Sequence, residues 1–462
     1  MTAQPPSWIV VGGGVLGLAL ARHLGLAGRK VRVLEAASHP GGVADAWTLE
    51  PSEGPAVRWD RHYHVILPGD FRLRLLLAEL GHEHRIRWRR PRTGLVRRGR
   101  LVSISSNFDI VRNLRLGPVA LARLGATILG TSWIRDGRRF DRQSSAQWLR
   151  RASGDKVYRA IWRPLLEAKL GPLAERASAV FIWTVLRRLA AARRSGLDRD
   201  RFGTLPEGCE TLVTALVDSL EQQGVTIECG ARVEGLKPIA NGAAGHPAGW
   251  RVSGTDRSWT ADRVVLATPA PVASRLSPGL SPDEIEVLEE GETLGLVCAS
   301  LLLDKPLSPY YLTYLTDPAP FTAVVESSHL AGLEVTGGHS LVYLPRYLAP
   351  DDPLFERSDE DIRELFLPAL GRFFPSLAER RILTWKVSRV RHLLPVPLPG
   401  QWGRTPPVDT SRPGLHLATP AHLRDGTLNL EATLGLADEI GRHLAGLPGL
   451  GSQPRLEPGD GV

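Results

Sequence analysis

The chain contains very little cysteine. Its 462 residues include only Cys209, Cys229 and Cys298, which are scattered and form no CxxC pair, heme-attachment pattern or metal-ligand spacing. This scarcity excludes a disulfide-stapled secreted domain, because such domains need several closely spaced cysteines in an oxidising compartment. The sequence therefore predicts buried thiols in a reducing compartment and no metal site.

Long apolar runs and a cleavable leader are also missing. The N-terminus runs into an apolar strand pattern without a basic start and apolar core, which predicts a cytoplasmic protein. The nearest candidate for a membrane span, residues 117–133, is too short and carries Arg123. The wider segment 114–139 is apolar with basic flanks, which fits either a core helix of a substrate domain or a peripheral contact with a membrane.

Lysine is scarce although the chain is basic. The formal net charge is +8, yet six of the 57 basic residues are lysines, and this bias is typical of a compositional habit. A local exception is the segment 85–100, RIRWRRPRTGLVRRGR, which predicts a solvated hairpin or a basic surface facing an anionic substrate or membrane. No aromatic-interleaved motif supports nucleic-acid binding, so the sequence predicts no nucleic-acid partner.

The most informative feature present is a glycine-rich turn between two strand patterns in residues 9–42, IVVGGGVLGLALARHLGLAGRKVRVLEAASHPGG. Gly12 permits a tight turn, Gly14 lets the backbone approach a pyrophosphate, and Gly17 lets the following helix pack closely on the strand. The helix would direct its N-terminal amides at the phosphates. Glu35, at the end of the second strand, is placed to accept hydrogen bonds from ribose hydroxyls and would repel a 2′-phosphate. The pattern predicts FAD or NAD rather than NADP.

A second glycine pair, Gly41 and Gly42, follows the ribose acid. Together the two glycine motifs resemble those of flavoproteins related to monoamine oxidase, protoporphyrinogen oxidase, phytoene desaturase and UDP-galactopyranose mutase. In that superfamily the second pair lets the chain pass close to the flavin phosphates and ring, so the resemblance implies FAD. Taken alone, the pair also fits an ordinary turn after Pro40.

Three later segments resemble the same superfamily in the same order. They are residues 204–236, in which Val233 would lie beside the adenine; residues 262–270, DRVVLATPA, a strand that returns to the nucleotide domain; and residues 414–444, the closing flavin motif with Asp425 and Gly426. No cysteine lies near the closing motif. The resemblance therefore implies noncovalent FAD.

The resemblance also implies the fold class and the domain layout. The expected fold is α/β, a Rossmann-type FAD-binding domain with an inserted α+β substrate domain, as in the amine oxidases. The FAD-binding domain is assigned to residues 1–80, 204–275 and 385–450. The substrate domain is assigned to residues 81–203 and 276–384, and residues 451–462 are predicted to be a disordered tail.

Candidate catalytic residues lie in the segment 59–68, WDRHYHVILP, which in the related flavoproteins passes the flavin ring. His62 and His64 alternate along this predicted extended run and would share one face. They could hydrogen-bond the flavin or act as an acid and a base near neutral pH. The alternative is that one of them is a core histidine with both ring nitrogens hydrogen-bonded.

Charged residues also interrupt the apolar helix predicted at 156–169. Arg163, Glu167 and Lys169 would line a substrate cavity, with Arg163 binding a carboxylate. Alternatively, Arg163 and Glu167 would form a helical ion pair four residues apart. Pro164 would kink or restart the helix between them. Lys386, on a later strand, is a loose counterpart of the lysine that holds a water at the flavin in amine oxidases, or else a solvated lysine.

These features predict an FAD-dependent oxidoreductase that transfers a hydride from an apolar or amphipathic small molecule, of the amine, porphyrinogen or polyene class. The resemblance ends at Val43, where many relatives have an arginine, and the paired aromatic residues of monoamine oxidases are not located. Two alternatives stay open: a flavoenzyme like UDP-galactopyranose mutase, which acts on a sugar nucleotide without net redox, and a noncatalytic flavin-binding accessory protein. The sequence does not identify the electron acceptor.

Overall fold

The structure, a computed structural model, describes residues 5–134, 136–191, 201–240, 248–423 and 425–447. The predicted disordered tail at 451–462 lies outside these ranges. The strands are β1 Ser7–Val11, β2 Lys30–Leu34, β3 Ala46–Leu49, β4 Val57–Asp60, β5 Arg87–Arg89, β6 Thr93–Arg97, β7 Arg100–Ser103, β8 Phe202–Thr204, β9 Thr226–Glu228, β10 Val233–Ile239, β11 Gly249–Gly254, β12 Ser258–Ala261, β13 Arg263–Leu266, β14 Glu292–Leu303, β15 Leu312–Leu315, β16 Ala323–Glu326, β17 Ser340–Leu348, β18 Ile382–Val396 and β19 Leu415–Leu417.

The α-helices cluster in the middle of the chain and around the parallel sheet. They are α1 Val15–Leu26, α2 Phe71–Glu79, α3 Asn107–Leu114, α4 Pro118–Trp133, α5 Ser145–Ser153, α6 Asp155–Val157, α7 Arg163–Leu170, α8 Ala179–Ala191, α9 Glu210–Gln222, α10 Ala270–Leu276, α11 Pro282–Glu289, α12 Ser328–Ala331, α13 Asp359–Phe373 and α14 Leu430–Ala445. A π-helical turn, Tyr158–Trp162, joins α6 to α7. Pro164 lies in the first turn of α7, so the predicted helix at 156–169 restarts there.

A five-stranded parallel sheet, in the order β19-β13-β1-β2-β9, forms the nucleotide side of the described chain. Strand β1 is almost wholly apolar because both of its faces are covered. Trp8 and Val10 pack with the core residues of α1, whereas Ile9 and Val11 pack against the apolar residues of β11 and β12. The strand order is that of a Rossmann sheet, and the predicted fold class is confirmed.

A seven-stranded mixed sheet, in the order β18-β14-β17-β16-β15-β6-β7, forms the second side. Strand β14 alternates between two hydrophobic clusters. Leu296 and Cys298 face the cluster that includes α5, α7 and α8, whereas Val297 and Ala299 face the cluster built on α13. The helical insertion therefore covers one face of the sheet, and α13 covers the other.

One predicted boundary does not follow the sheets. The third piece of the FAD-binding domain was expected to begin at residue 385, but this position lies inside β18, which pairs antiparallel with β14 along most of its length. Because a strand belongs to the sheet that satisfies its backbone hydrogen bonds, β18 is part of the mixed sheet. By sheet membership, the parallel side resumes only after Val396.

Candidate functional site

The first glycine turn is fixed by close backbone contacts. Gly12 has φ +110°, a conformation that other residues rarely adopt, and its amide donates to the Leu34 carbonyl at 2.8 Å. A Cβ added to Gly17 would lie 1.9 Å from the Gly12 carbonyl oxygen. Only glycine at position 17 lets α1 begin this close to β1, as the sequence predicted.

The second glycine pair packs directly against the first turn. The Gly41 amide donates to the Gly13 carbonyl at 2.9 Å, and both Gly41 and Gly42 have positive φ values, +121° and +62°. A Cβ added to Gly42 would lie 3.1 Å from the Gly14 Cα, whereas one added to Gly14 would meet no heavy atom closer than 3.9 Å. Gly14 caps the N-terminus of α1, so a pyrophosphate fits in front of its open backbone.

Glu35 joins this turn to the next strand. One of its carboxylate oxygens accepts from the Gly13 amide at 2.6 Å, and the other accepts from the Ala37 amide at 2.7 Å. Each oxygen has a second lone pair left for a ribose hydroxyl. The Ala231 amide donates to the Glu35 carbonyl at 2.8 Å, which brings the start of β10, and Val233 with it, to this edge of the cradle.

The closing segment contains a tight turn before α14. The Asp425 carboxylate accepts from the Thr427 amide at 3.1 Å and from the Thr427 hydroxyl at 3.0 Å. Gly426 has φ +67°, and a Cβ there would lie 2.2 Å from the Pro397 ring. Asp425 and Gly426 thus shape the turn, and their contact with the cofactor stays a prediction.

His62 bridges the glycine pair and the mixed sheet. Its Nδ1 lies 3.1 Å from the Val43 carbonyl, and its Nε2 lies 2.9 Å from the Ser388 hydroxyl on β18. A carbonyl can only accept, so Nδ1 carries the proton and Nε2 accepts from Ser388. Burial, with smaller effects from the charges of His64 and Arg61, lowers the pKa of His62 to about 3. The His62 side chain is therefore neutral and connects Val43 to β18 through its two hydrogen bonds. Its predicted role in catalysis stays a prediction.

His64 lies in a different environment from His62. Strand β4 ends at Asp60, and the following bend turns His64 towards the Asp60 carboxylate, 3.7 Å from Nδ1. The ligand atoms of Asp60, His64 and Cys209 lie within 4.8 Å of one another. Burial and Asp60 raise the pKa of the Cys209 thiol well above its usual value. The thiol is therefore protonated and hydrogen-bonded to Asp60, whose carboxylate also accepts from the Cys209 amide at 2.7 Å.

Comparison with known proteins decides between FAD and NAD. A sequence profile of flavin containing amine oxidoreductases matches residues 17–426, which is most of the chain. The chain belongs to this family. It is an FAD-dependent oxidoreductase, and the predicted cofactor is confirmed. The glycine cradle and Glu35 described above fit the pyrophosphate and a ribose of FAD.

Individual relatives are distant but cover nearly the whole chain. The zeta-carotene desaturase of Synechocystis sp. strain PCC 6803 is 24% identical over 85% of this chain and 87% of its own length. Cyclohexylamine oxidase from Brevibacterium oxydans IH-35A has the same fold, with a TM-score of 0.70, 15% identity and coverage of 96% and 99% of the two chains. Reduced UDP-galactopyranose mutase gives a TM-score of 0.69, 15% identity and 96% coverage of both chains.

Two charged residues predicted near the substrate of this flavin oxidoreductase lie on the exposed face of α7. Arg163 Nε donates to Glu167 Oε1 at 2.7 Å, and about half of each side chain is exposed. The hydrogen bond to Glu167 raises the pKa of Arg163. The structure thus contains the helical ion pair, one of the two alternatives, and no described contact of these residues supports the cavity alternative.

Lys386 has a backbone partner. Its ammonium group donates to the Thr48 carbonyl on β3 at 2.7 Å and lies 5.6 Å from the centre of the Trp47 ring. Lys386 thus connects β18 to β3 and is not a freely solvated lysine, and its predicted place beside the flavin stays a prediction.

Lys169, the third charged residue that the sequence analysis placed on helix α7, is partly buried and has aromatic neighbours. Lys169, on α7, places its ammonium nitrogen 3.5 Å from the centre of the Tyr347 ring, and the Tyr347 hydroxyl lies 3.1 Å from the Tyr63 hydroxyl. Lys169 is one of only six lysines and interrupts an apolar helix, which is the one signal the sequence carries. Nothing local marks Tyr347, on β17, as its neighbour. Tyr63, Lys169 and Tyr347 are called the Lys169 cluster below.

Proposed function

We propose that this FAD-dependent oxidoreductase oxidises an apolar or amphipathic organic small molecule by hydride removal. The observation that carries the proposal is a set of three aromatic side chains. Trp47, Tyr63 and Tyr314 are only partly buried, yet they pack against the largest hydrophobic cluster, between the mixed sheet and the helical insertion. Partial exposure of large aromatic side chains within a core is typical of the lining of a substrate cavity.

FAD, His62 and His64 have separate roles in this proposal, which follow from their positions. FAD supplies the two-electron acceptor. His62 holds the loop 61–65 between the glycine pair and β18, and because it stays neutral it places no positive charge beside the Val43 carbonyl. His64 Nδ1 is buried and has no hydrogen-bond partner in the described residues, so His64 keeps the proposed role of proton acceptor.

Anaerobic titration of the purified holoenzyme tests the proposal. We expect a porphyrinogen, a polyene or an amine to bleach the visible absorbance of the oxidised flavin, with one oxidised product per flavin reduced. Ring contraction of a UDP-sugar without net redox would instead favour the mutase-like alternative. A purified protein that binds FAD, but whose flavin no such substrate reduces and which does not act on a UDP-sugar, would overturn the proposal and favour the flavin-binding accessory role.

A surface on the helical insertion supports peripheral contact with a membrane. On α4, the exposed positions Val119, Ala122, Ala126, Leu129 and Trp133 follow helical spacing along one face. Trp133 is 83% exposed, and Phe108 on the neighbouring helix α3 is 71% exposed. Isolated exposed apolar residues are normal, but a continuous apolar stripe is not.

The charges around this stripe favour an anionic bilayer. Residues 107–134 carry Arg112, Arg115 and Arg123 and a single acid, Asp109. Within the described residues, no helix is both long enough and apolar enough to cross a bilayer. An apolar stripe with basic flanks is the composition of a segment that lies on an anionic membrane surface.

Vesicle sedimentation tests this contact. We expect the protein to sediment with phosphatidylglycerol vesicles more than with phosphatidylcholine vesicles, and the double variant Leu129→Ser and Trp133→Ser to stay in the supernatant. Leu365→Ser, at an exposed leucine on α13, is the matched control and should sediment like the native protein. Equal sedimentation of the double variant and the control would contradict the contact.

A further inference from the structure

The Lys169 cluster contains a cation without an anion. Lys169 forms no ion pair and no hydrogen bond with any described residue, and its ammonium nitrogen faces the Tyr347 ring at 3.5 Å. On the same helix, the exposed Arg163 is paired with Glu167. A buried charge without a counter-ion is costly, so such groups are normally paired. The unpaired lysine is the more buried of these two cations, which is the reverse of what stability alone would favour.

The neighbours of Lys169 do not neutralise it. Burial lowers the pKa of Lys169, and the nearby Tyr63 opposes that shift only in part. Burial raises the pKa of Tyr347 to about 12 and that of Tyr63 well above its usual value, so both phenols stay protonated at neutral pH. Each phenol can donate one hydrogen bond, and one of the two is used between the hydroxyls. One phenolic O–H and the ammonium N–H groups are left for another acceptor.

The cluster lies next to the flavin side of the structure. Tyr63 directly follows His62, whose Nδ1 donates to the carbonyl of Val43, the residue after the glycine pair. Lys169 lies on the helix that follows the π turn Tyr158–Trp162, and π turns inside helices occur frequently at functional sites. Donors from three distant segments of the chain therefore meet at Tyr63, on the loop that also carries His62.

We propose that Lys169, Tyr63 and Tyr347 bind an anionic group, a carboxylate or a phosphate, of the substrate. This inference rests on the proposed function, because it assumes that the bound molecule is the one oxidised. An anion supplies the missing counter-charge and accepts the unused phenolic hydrogen, whereas a cationic amine would be repelled by Lys169. The proposal therefore narrows the substrate class to amphipathic acids and excludes simple amines and uncharged polyenes.

Ligand titrations of the holoenzyme, followed by the change in flavin absorbance, test the proposal. The probes are decanoate, decyl phosphate, decanol and decylamine, which share one chain and differ in the head group. We expect decanoate or decyl phosphate to bind about 10- to 100-fold more tightly than decanol, the effect of one hydrogen-bonded charge. The stronger of the two anions identifies the group as carboxylate or phosphate. Decylamine should bind no more tightly than decanol.

Variants assign the selectivity to the cluster. Lys169→Met should bring the affinity for the anion down to that for decanol, and Tyr347→Phe should lower it less. Lys156→Met removes an exposed lysine three residues before Arg159 on the preceding helical segment and is the matched control. Equal anion affinity in Lys169→Met and the native protein would overturn the proposal, as would tighter binding of decylamine than of decanoate.

Folding and the proposed reduction of the flavin by substrate are measured separately. Lys169→Met should retain FAD and melt at a temperature no lower than the native protein, because removal of an unpaired, partly buried charge relieves a desolvation cost. Tyr347→Phe keeps the ring beneath the lysine and serves as the second variant if Lys169→Met does not fold. Substrate-dependent flavin reduction without anion selectivity would defeat this inference alone, whereas absence of any reduction by the tested substrates would defeat the proposed function.

Discussion

The glycine cradle and the Lys169 cluster are built in opposite ways. The cradle comes from one continuous stretch, residues 9–42, and its working groups are mainly backbone amides made accessible by Gly12, Gly14 and Gly17. The cluster takes one side chain from each of three segments more than 100 residues apart. A site made of backbone amides depends on a short local motif, so the cofactor can be predicted from the sequence. A site made of distant side chains depends on tertiary packing, so the substrate class cannot be predicted in this way.

The largest effect is expected where the cradle is tightest. Gly17→Ala should destabilise the protein by about 3 kcal/mol or more, because its Cβ would overlap the Gly12 carbonyl oxygen and the Gly12 turn is held by its hydrogen bond to Leu34. Gly125→Ala, on α4, is the control, since a Cβ there meets nothing within 4 Å. Thermal melts and FAD content measure both variants. Similar melting temperatures for the two would show that the cradle is not locally fixed.

A weaker test separates the backbone cradle from its one charged side chain. Glu35→Gln should raise the FAD dissociation constant about 10- to 100-fold, because an amide has one oxygen and cannot accept from both Gly13 and Ala37. Isothermal titration of apoprotein with FAD gives this constant. Glu221→Gln, an exposed acid on α9, should bind FAD like the native protein. A loss of FAD affinity in Glu35→Gln no larger than in the control would contradict a place for Glu35 in the cofactor site.

The stability contributed by His62, which connects Val43 to β18, should decrease in acid. His62 has a folded-state pKa of about 3 against 6.5 in the unfolded chain, so the unfolded state takes up the proton first. The stability that neutral His62 provides is complete above pH 6.5 and is lost as the pH falls towards 3. Between pH 7 and pH 5 the loss amounts to about 2 kcal/mol.

Urea unfolding at pH 7 and pH 5 measures this loss. His62→Asn keeps a donor for the Val43 carbonyl but does not titrate, so its stability should fall by about 2 kcal/mol less than that of the native protein. His84→Asn, at an exposed histidine, should behave like the native protein. An unchanged pH dependence in His62→Asn would mean that His62 is charged in the folded protein.

The smallest effect is expected at the exposed ion pair of α7. Arg163→Ala and Glu167→Ala should leave the melting temperature and the affinity for decanoate within experimental error, because exposed pairs on a helix contribute little. A loss of anion affinity in Arg163→Ala alone would instead support the sequence-based prediction of a substrate-cavity role. Arg163, rather than Lys169, would then be the residue of α7 that binds the anion.

Local patterns predicted the nucleotide side well. The second strand of the glycine-rich stretch, expected to end at Glu35, is β2, and the helix expected between the two strands is α1. Those predictions rest on short-range rules, namely apolar runs and glycine-rich turns. The placement of β18 required knowledge of its partner β14, about 90 residues earlier in the chain. The neighbours of Lys169 and the core position of His62 depend on packing of the same kind.

The π turn Tyr158–Trp162 sets the angular phase of the helix that follows it. Successive residues of an α-helix are about 100° apart, so deletion of one residue from this turn would rotate every side chain of α7 by about 100° and leave the helix whole. Lys169 would swing off the Tyr347 ring, and no substitution would have occurred. The direction in which the Lys169 side chain points thus depends on the number of residues in this one turn. A one-residue gap at this turn in a relative would mark a changed preference for the charge of the ligand.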